Sequence, residues 1–186
     1  MGIQNVVVYL GSANIADPQF RQAVIDLADY LADHDMTLVF GGSNTGMMKL
    51  LADTMLARNG KVIGVFTRSL PGKFIRHDLT EAVITENLAE RKGEMLKRAD
   101  AIVALPGSIG TFDELFDALA QKKLGAINCP IGVLNVDGFF DSLLELLKKS
   151  MDVGFTSERA FSMLKSSRTP GELLENMNKT VNGKGE

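Results

Sequence analysis

Short apolar runs recur along the chain, and longer stretches with helical periodicity separate them. The runs are VVVYL (6–10), TLVF (37–40), VIGVF (62–66), AVIT (82–85), AIVAL (101–105) and IGVLN (131–135). Several are apolar at consecutive positions, the pattern of strands covered on both faces of a parallel sheet. The first intervening stretch runs from Asp17 to His34. Asp17 is a good N-cap and Pro18 suits the first helical position. Phe20, Val24, Leu27 and Leu31 then form a stripe at helical spacing. Asn44 to Arg58, Leu88 to Arg98, Thr111 to Lys123 and Phe139 to Ser150 follow the same logic. Strand and helix alternate throughout, which predicts an α/β fold: a doubly wound, mostly parallel sheet with helices on both faces. Residues 1–186 read as a single domain, with 182–186 a frayed tail.

Composition narrows the partners. Of 186 residues, 45% are hydrophobic and 23% charged, enough for one domain with a core. The formal charge of −3 lacks the basic excess of a nucleic-acid binder. The lone cysteine, Cys129, permits no intrachain disulfide and fits a reducing, cytoplasmic setting. The N-terminus has no basic leader, so Val6 to Leu10 reads as a strand, and no apolar run approaches a membrane span.

Sheets of this kind bind ligands beyond the carboxyl ends of their strands. Strand one is followed by Gly11-Ser12-Ala13-Asn14, strand two by Gly41-Gly42-Ser43-Asn44-Thr45-Gly46 and strand five by Pro106-Gly107-Ser108-Ile109-Gly110-Thr111. One such turn only makes a tight connection. Three at one edge favour a phosphate site, because small residues let backbone N–H groups approach an anion at a helix start. The second turn is not a P-loop, since Met47 stands where lysine is required, and strand one lacks the dinucleotide fingerprint. His34, His77 and Cys129 are mutually isolated, so no metal site is expected. His34 reads as a partner of its helix end and Cys129 as structural. The connection from Thr67 to Thr80 carries Arg68, Lys73, Arg76 and His77, either as a lid over an anion or as a solvated surface loop.

Arg91 and Lys92 fall early in the helix after strand four, near the same edge. They suit a ligand or a solvated helix face. Glu114 follows Thr111 by three residues, so it is either half of a capping box or a functional carboxylate. A sugar 5'-phosphate fits both ends of the turn. Its phosphate takes the N–H groups of Gly107 to Thr111. Glu114 then faces hydroxyls or a water near the anomeric carbon.

LPGSIGTFDEL (105–115) resembles the PGGxGTxxE signature of the Lonely Guy family, the cytokinin riboside 5'-monophosphate phosphoribohydrolases. ERKGEMLKRADAIVALPG is similar to the segment before it, and GGSNTGMMKLLAD to the family's GGGxxGLMGxxAD turn; LGSAN and IGVLNVDGFFDSLLELL also match. The similarity spans about Val6 to Leu174. It implies a Rossmann-like nucleotide-binding domain, a homodimer and hydrolysis of the N-glycosidic bond of adenosine 5'-monophosphates, N6-modified ones included, with no metal or organic cofactor. It further implies Arg91 and Glu114 as catalytic, Gly107, Ser108, Gly110 and Thr111 as the phosphate cradle, and Ser12, Gly42 and Lys92 as further substrate contacts. Leu88 would pack on the base. Members are often labelled lysine decarboxylases, yet no lysine here is placed as a pyridoxal phosphate anchor.

Some positions depart from the family pattern. Ser108 and Ser43 replace glycines, which would strain the loops if those positions need positive φ. Lys49 replaces a glycine, Leu10 a cysteine and Ala89 a frequent histidine. The serines keep open a non-catalytic alternative, a nucleotide sensor or molybdenum cofactor carrier on the same fold. A DNA-processing relative is disfavoured by the acidic charge.

Overall fold

A computed structural model describes residues 2–69, 76 and 78–182. Its strands are β1 (Asn5–Tyr9), β2 (Thr37–Phe40), β3 (Val62–Thr67), β4 (Glu81–Thr85), β5 (Ala101–Ala104), β6 (Ile131–Leu134) and β7 (Leu164–Ser167). The helices are α1 (Pro18–Asp33), α2 (Gly46–Ala57), α3 (Leu88–Arg98), α4 (Ile109–Lys123), α5 (Asp141–Asp152), α6 (Glu158–Phe161) and α7 (Pro170–Asn182). All seven strands join one sheet in the order β4-β3-β2-β1-β5-β6-β7. Every ladder is parallel, for example Val7 opposite Val39 on one side and Ile102 on the other. The direction of winding reverses between β1 and β5, which places the switch point, and a ligand crevice, beside their loops.

Side-chain alternation along β1 splits the core in two. Val6 and Val8 pack with Val24, Leu27 and Leu31 of α1, Leu51 and Met55 of α2, and Met177 of α7. Val7 and Tyr9 point the other way, toward Met95 of α3, Leu115 of α4 and Phe140. Leu27, Leu31, Leu51 and Met55 are fully buried, each contributing about 2 kcal/mol relative to exposure.

Helix starts follow local chemistry. The Asp17 side chain accepts a hydrogen bond from the Gln19 amide at 2.8 Å, with Pro18 next, as the sequence predicts. Asn87 caps α3 by accepting from the Glu90 amide at 2.9 Å, and Glu90 reaches back to the Glu86 amide at 3.0 Å. His34 does end α1, with Nδ1 2.8 Å from the Tyr30 carbonyl. In the basic connection after β3, Arg68 is exposed and pairs with Glu86 at 2.9 Å, whereas Arg76 is buried and tied to Asp53 at 2.6 Å and Asp78 at 2.5 Å. Arg76 is thus held by carboxylates rather than by solvent. Lys73 and His77 lie outside the described residues.

Candidate active site

The Arg91–Glu114 pair joins α3 to α4. Arg91 Nη1 donates to Glu114 Oε1 at 2.8 Å, and Arg91 Nε donates to the Val65 carbonyl within β3 at 2.9 Å. The two side chains are each only 9% exposed. Burial pushes the Glu114 carboxyl above its ordinary range, and the Arg91 charge and hydrogen bond oppose that shift. The third guanidinium nitrogen presses on β2's loop: a Cβ on Gly41 would sit 2.0 Å from Arg91 Nη2. Gly41 is therefore glycine because Arg91 occupies its side-chain space, a role no pattern in the sequence signals.

The capping-box reading of Thr111 and Glu114 fails. Helix α4 begins at Ile109, with Ser108 as its N-cap and no side-chain cap bond. Thr111 lies within the first turn and Glu114 lies farther down the helix, so Glu114 is free to meet Arg91. Reciprocal capping is found instead at the start of α3, between Asn87 and Glu90. Among the described residues, the amides of Ile109, Gly110 and Thr111 donate no hydrogen bond. They stand at the start of a 15-residue helix, where the orphan N–H groups and the macrodipole favour an anion.

The glycine loops interlock. A Cβ on Gly107 would meet Thr111 Oγ1 at 2.1 Å and the Gly11 amide nitrogen at 2.9 Å. Gly42 has φ +75°, and a Cβ there would strike the Phe66 ring at 2.4 Å. The Ser12 carbonyl accepts from Thr45 Oγ1 at 3.4 Å, and the Met47 amide donates to the Ala13 carbonyl at 3.1 Å. Ser108 and Ser43 escape the expected strain. Ser108 has φ −110° and an extended backbone, and Ser43 is not among the non-glycine residues with positive φ. A Cβ on Gly110 would meet nothing within 4 Å, so this part of the cradle opens outward.

Ser12, Gly107 and Ser108 stand together at the β1–β5 switch point, with Gly110 and Thr111 just inside α4. Gly42 packs on Phe66 and lies next to Gly41, beside the pair. Lys92 is engaged elsewhere: its ammonium sits 3.1 and 3.0 Å from the two carboxylate oxygens of Asp113 and 4.0 Å from Asp117. It pins α3 to α4 alongside the Arg91–Glu114 bond. Sequence reasoning also missed Tyr9, buried at the end of β1. Burial raises its hydroxyl pKa and the Glu114 charge raises it further. Lys49 pairs with Asp53 on the exposed side of α2. Cys129 is partly buried, and burial pushes its thiol up, in keeping with a structural role. Leu88 is 54% exposed near the start of α3.

A family model described as possible lysine decarboxylase matches residues 48–177. A probable cytokinin riboside 5'-monophosphate phosphoribohydrolase, LOG4 of Oryza sativa subsp. japonica, is 37% identical over 92% of this chain and 75% of its own. The cytokinin riboside 5'-monophosphate phosphoribohydrolase LOG2 of Arabidopsis thaliana is 34% identical over 92% of this chain and 81% of its own. Among solved structures, the molybdenum cofactor binding protein of Rippkaea orientalis superposes with a TM-score of 0.71 at 20% identity, covering 97% of this chain and 99% of that one. The molybdenum cofactor carrier protein of Chlamydomonas reinhardtii gives 0.70 at 18% identity, over 96% and 98%. These two share the fold. The sequence relatives share the family as well: the chain belongs to the Lonely Guy family, the group whose model carries the lysine decarboxylase description.

Proposed function

We propose that the protein is an N-glycosidase that hydrolyses adenosine 5'-monophosphates, N6-modified ones included, to free base and ribose 5-phosphate. The observation that carries this reading is the buried Arg91–Glu114 pair set just below the free amides of α4. The names of the sequence relatives point to the same reaction. The phosphate binds the amides of Ile109, Gly110 and Thr111, with the Ser12 and Ser108 hydroxyls at hand. The ribose then lies along α4 toward Glu114. Glu114 holds ribose hydroxyls and takes a proton from the attacking water; a carboxyl pKa raised by burial suits that task. The C1'–N bond breaks, positive charge gathers on the sugar, and the Glu114 carboxylate stabilises it. Water oxygen joins C1', and the leaving base takes up a proton. Arg91 fixes Glu114 and neutralises its charge in a site shielded from water.

Such hydrolysis needs neither metal nor organic cofactor. Ile84, Leu88, Ile109 and Phe116 are exposed apolar side chains on the strand and helices that build the site, which supports a homodimer across this region. No helix among the described residues is long and apolar enough to cross a membrane, in keeping with work in the cytoplasm. The test is chromatography of products after incubation with AMP and with N6-isopentenyl-AMP. Release of base and ribose 5-phosphate, abolished in Glu114→Ala, is expected. Tight nucleotide binding with no base released would overturn the reading and favour a sensor or carrier.

A further inference from the structure

A cavity of about 330 Å³ opens at the switch point; it borders the proposed phosphate site at Ser12, Gly107 and Ser108, and the proposed reaction does not use its apolar remainder. Residues 11–13 and 106–108 line one part of it, and Ile15, Phe20, Val24, Met47, Leu105 and Phe139 the rest. The size is within the range of small-ligand pockets. Val24, Met47 and Leu105 belong to the half of the core under α1 and α2. Glu114 lies on α4, which covers the opposite face with Leu115. The start of α4 therefore stands between the cavity and the carboxylate. Glu114 is six residues past Ser108, about 9 Å along the helix.

The cavity has a built wall. Phe139 meets Phe20 edge-on at 6.1 Å and Phe112 face-on at 6.4 Å. It is placed there by a turn with Asp137 at φ +49° and Gly138 at φ +70°, and a non-glycine residue in that region carries strain. Asn135 clamps the turn, donating to Asp141 at 2.7 Å and accepting from the Phe140 amide at 2.8 Å. Ile15 and Phe139 at the rim remain 38% and 41% exposed, so the apolar wall of the cavity continues to its mouth.

We infer that this cavity receives an apolar group carried on the phosphate of the nucleotide, so that aryl or alkyl esters of nucleoside 5'-monophosphates are ligands of this protein. The inference rests on the phosphate placement proposed above. With phosphate at the amides of α4, the sugar leaves toward Glu114, and a remaining phosphate oxygen faces Ser108 and the cavity. The glycosidic bond of such an ester breaks as before: water supplies the hydroxyl at C1', the base leaves protonated, and the phosphate ester bond stays intact.

The experiment is calorimetric binding of AMP, N6-isopentenyl-AMP and adenosine 5'-(phenyl phosphate), with turnover of each followed in parallel. The phenyl ester is expected to bind roughly tenfold more tightly than AMP, since a ring leaves water for an apolar cavity. Val24→Phe fills the cavity and should remove that gain while leaving AMP unchanged. Ile15→Asp, on the exposed rim, should do the same and covers the case in which Val24→Phe does not fold. Exclusion of the phenyl ester by the native protein overturns the inference, as does a Val24→Phe effect confined to N6-isopentenyl-AMP, which would place the base in the cavity. The two readings separate cleanly. Cavity-dependent binding of the ester without base release defeats only the hydrolase; base release from AMP with the ester excluded defeats only the inference.

Discussion

Replacing Arg91 by methionine keeps the volume of the side chain and removes its charge, so it isolates what the ion pair does. In the native protein the Glu114 carboxyl is already held above its ordinary range by burial, with Arg91 as the main opposing influence. In Arg91→Met that opposition disappears, and Glu114 should protonate at a distinctly higher pH. Removing one member of a buried pair costs about 3–5 kcal/mol. The side chains here are 9% exposed, which places the expected loss at the lower end, about 3 kcal/mol at pH 8. Its pH dependence is the sharper signature. A carboxyl whose folded pKa lies above its unfolded value binds more protons when folded. Its ionisation therefore destabilises the fold as pH rises through the interval between the two values. Each unit by which the variant widens that interval adds about 1.4 kcal/mol to the loss at high pH. Urea unfolding of the variant at pH 5 and pH 8 should show a much smaller deficit at pH 5. Arg91→Met combined with Glu114→Leu should recover most of the stability, though not activity. A single variant as stable as the native protein, with no dependence on pH, would refute the reasoning, because the carboxylate would then be solvated.

Gly110 stands in the first turn of α4 with open space where a side chain would go. Gly110→Ala should therefore raise stability by about 0.5–1 kcal/mol, seen as a higher urea midpoint, while raising KM if the new methyl stands in the proposed phosphate site. Lys92→Met removes a largely solvent-side pair, since Asp113 is 59% exposed, so stability should change by less than about 1 kcal/mol. Lys92 also lowers the Glu114 pKa, so the acidic limb of the pH–rate profile should move to higher pH; an unmoved limb would mean that Lys92 and Glu114 are not coupled. Gly107→Ala has no room beside Thr111 Oγ1 and should lose activity even where circular dichroism finds the fold intact.

Much of this architecture was legible because parallel strands covered on both faces leave apolar runs: five of the six runs are the inner strands, and the sixth is the edge strand β4, apolar though largely exposed. The seventh strand, Leu164–Ser167, was not foreseen. It is an edge strand reading LKSS, half-buried, and its pairing with β6 comes from the backbone, not from side-chain pattern. Helices α6 and α7 were likewise missed. The site residues Arg91 and Glu114 were nominated through motif spacing, but the bond between them depends on the packing of α3 against α4. No local pattern encodes that packing. The capping-box error has the same origin: T-x-x-E marks a helix start only if its Thr is the N-cap, and the N-cap of α4 is Ser108, three residues earlier. The feared strain at Ser43 and Ser108 also depended on backbone angles that only the folded loops define.

The fit of Gly41 against the Arg91 guanidinium constrains the order in which the protein can change. Gly41→Ala made first forces a methyl into a charged group that is hydrogen-bonded on two sides, so it should destroy the pair. Made after Arg91 has been shortened, the same substitution meets only the end of the flexible Met48 side chain, at 3.4 Å, and should cost little. The two positions are thus epistatic with a definite sign, and the permissive step is the one that abandons the ion pair. A lineage on this fold that gave up hydrolysis would be free to fill Gly41, and once it had, restoring the arginine alone would not bring the chemistry back.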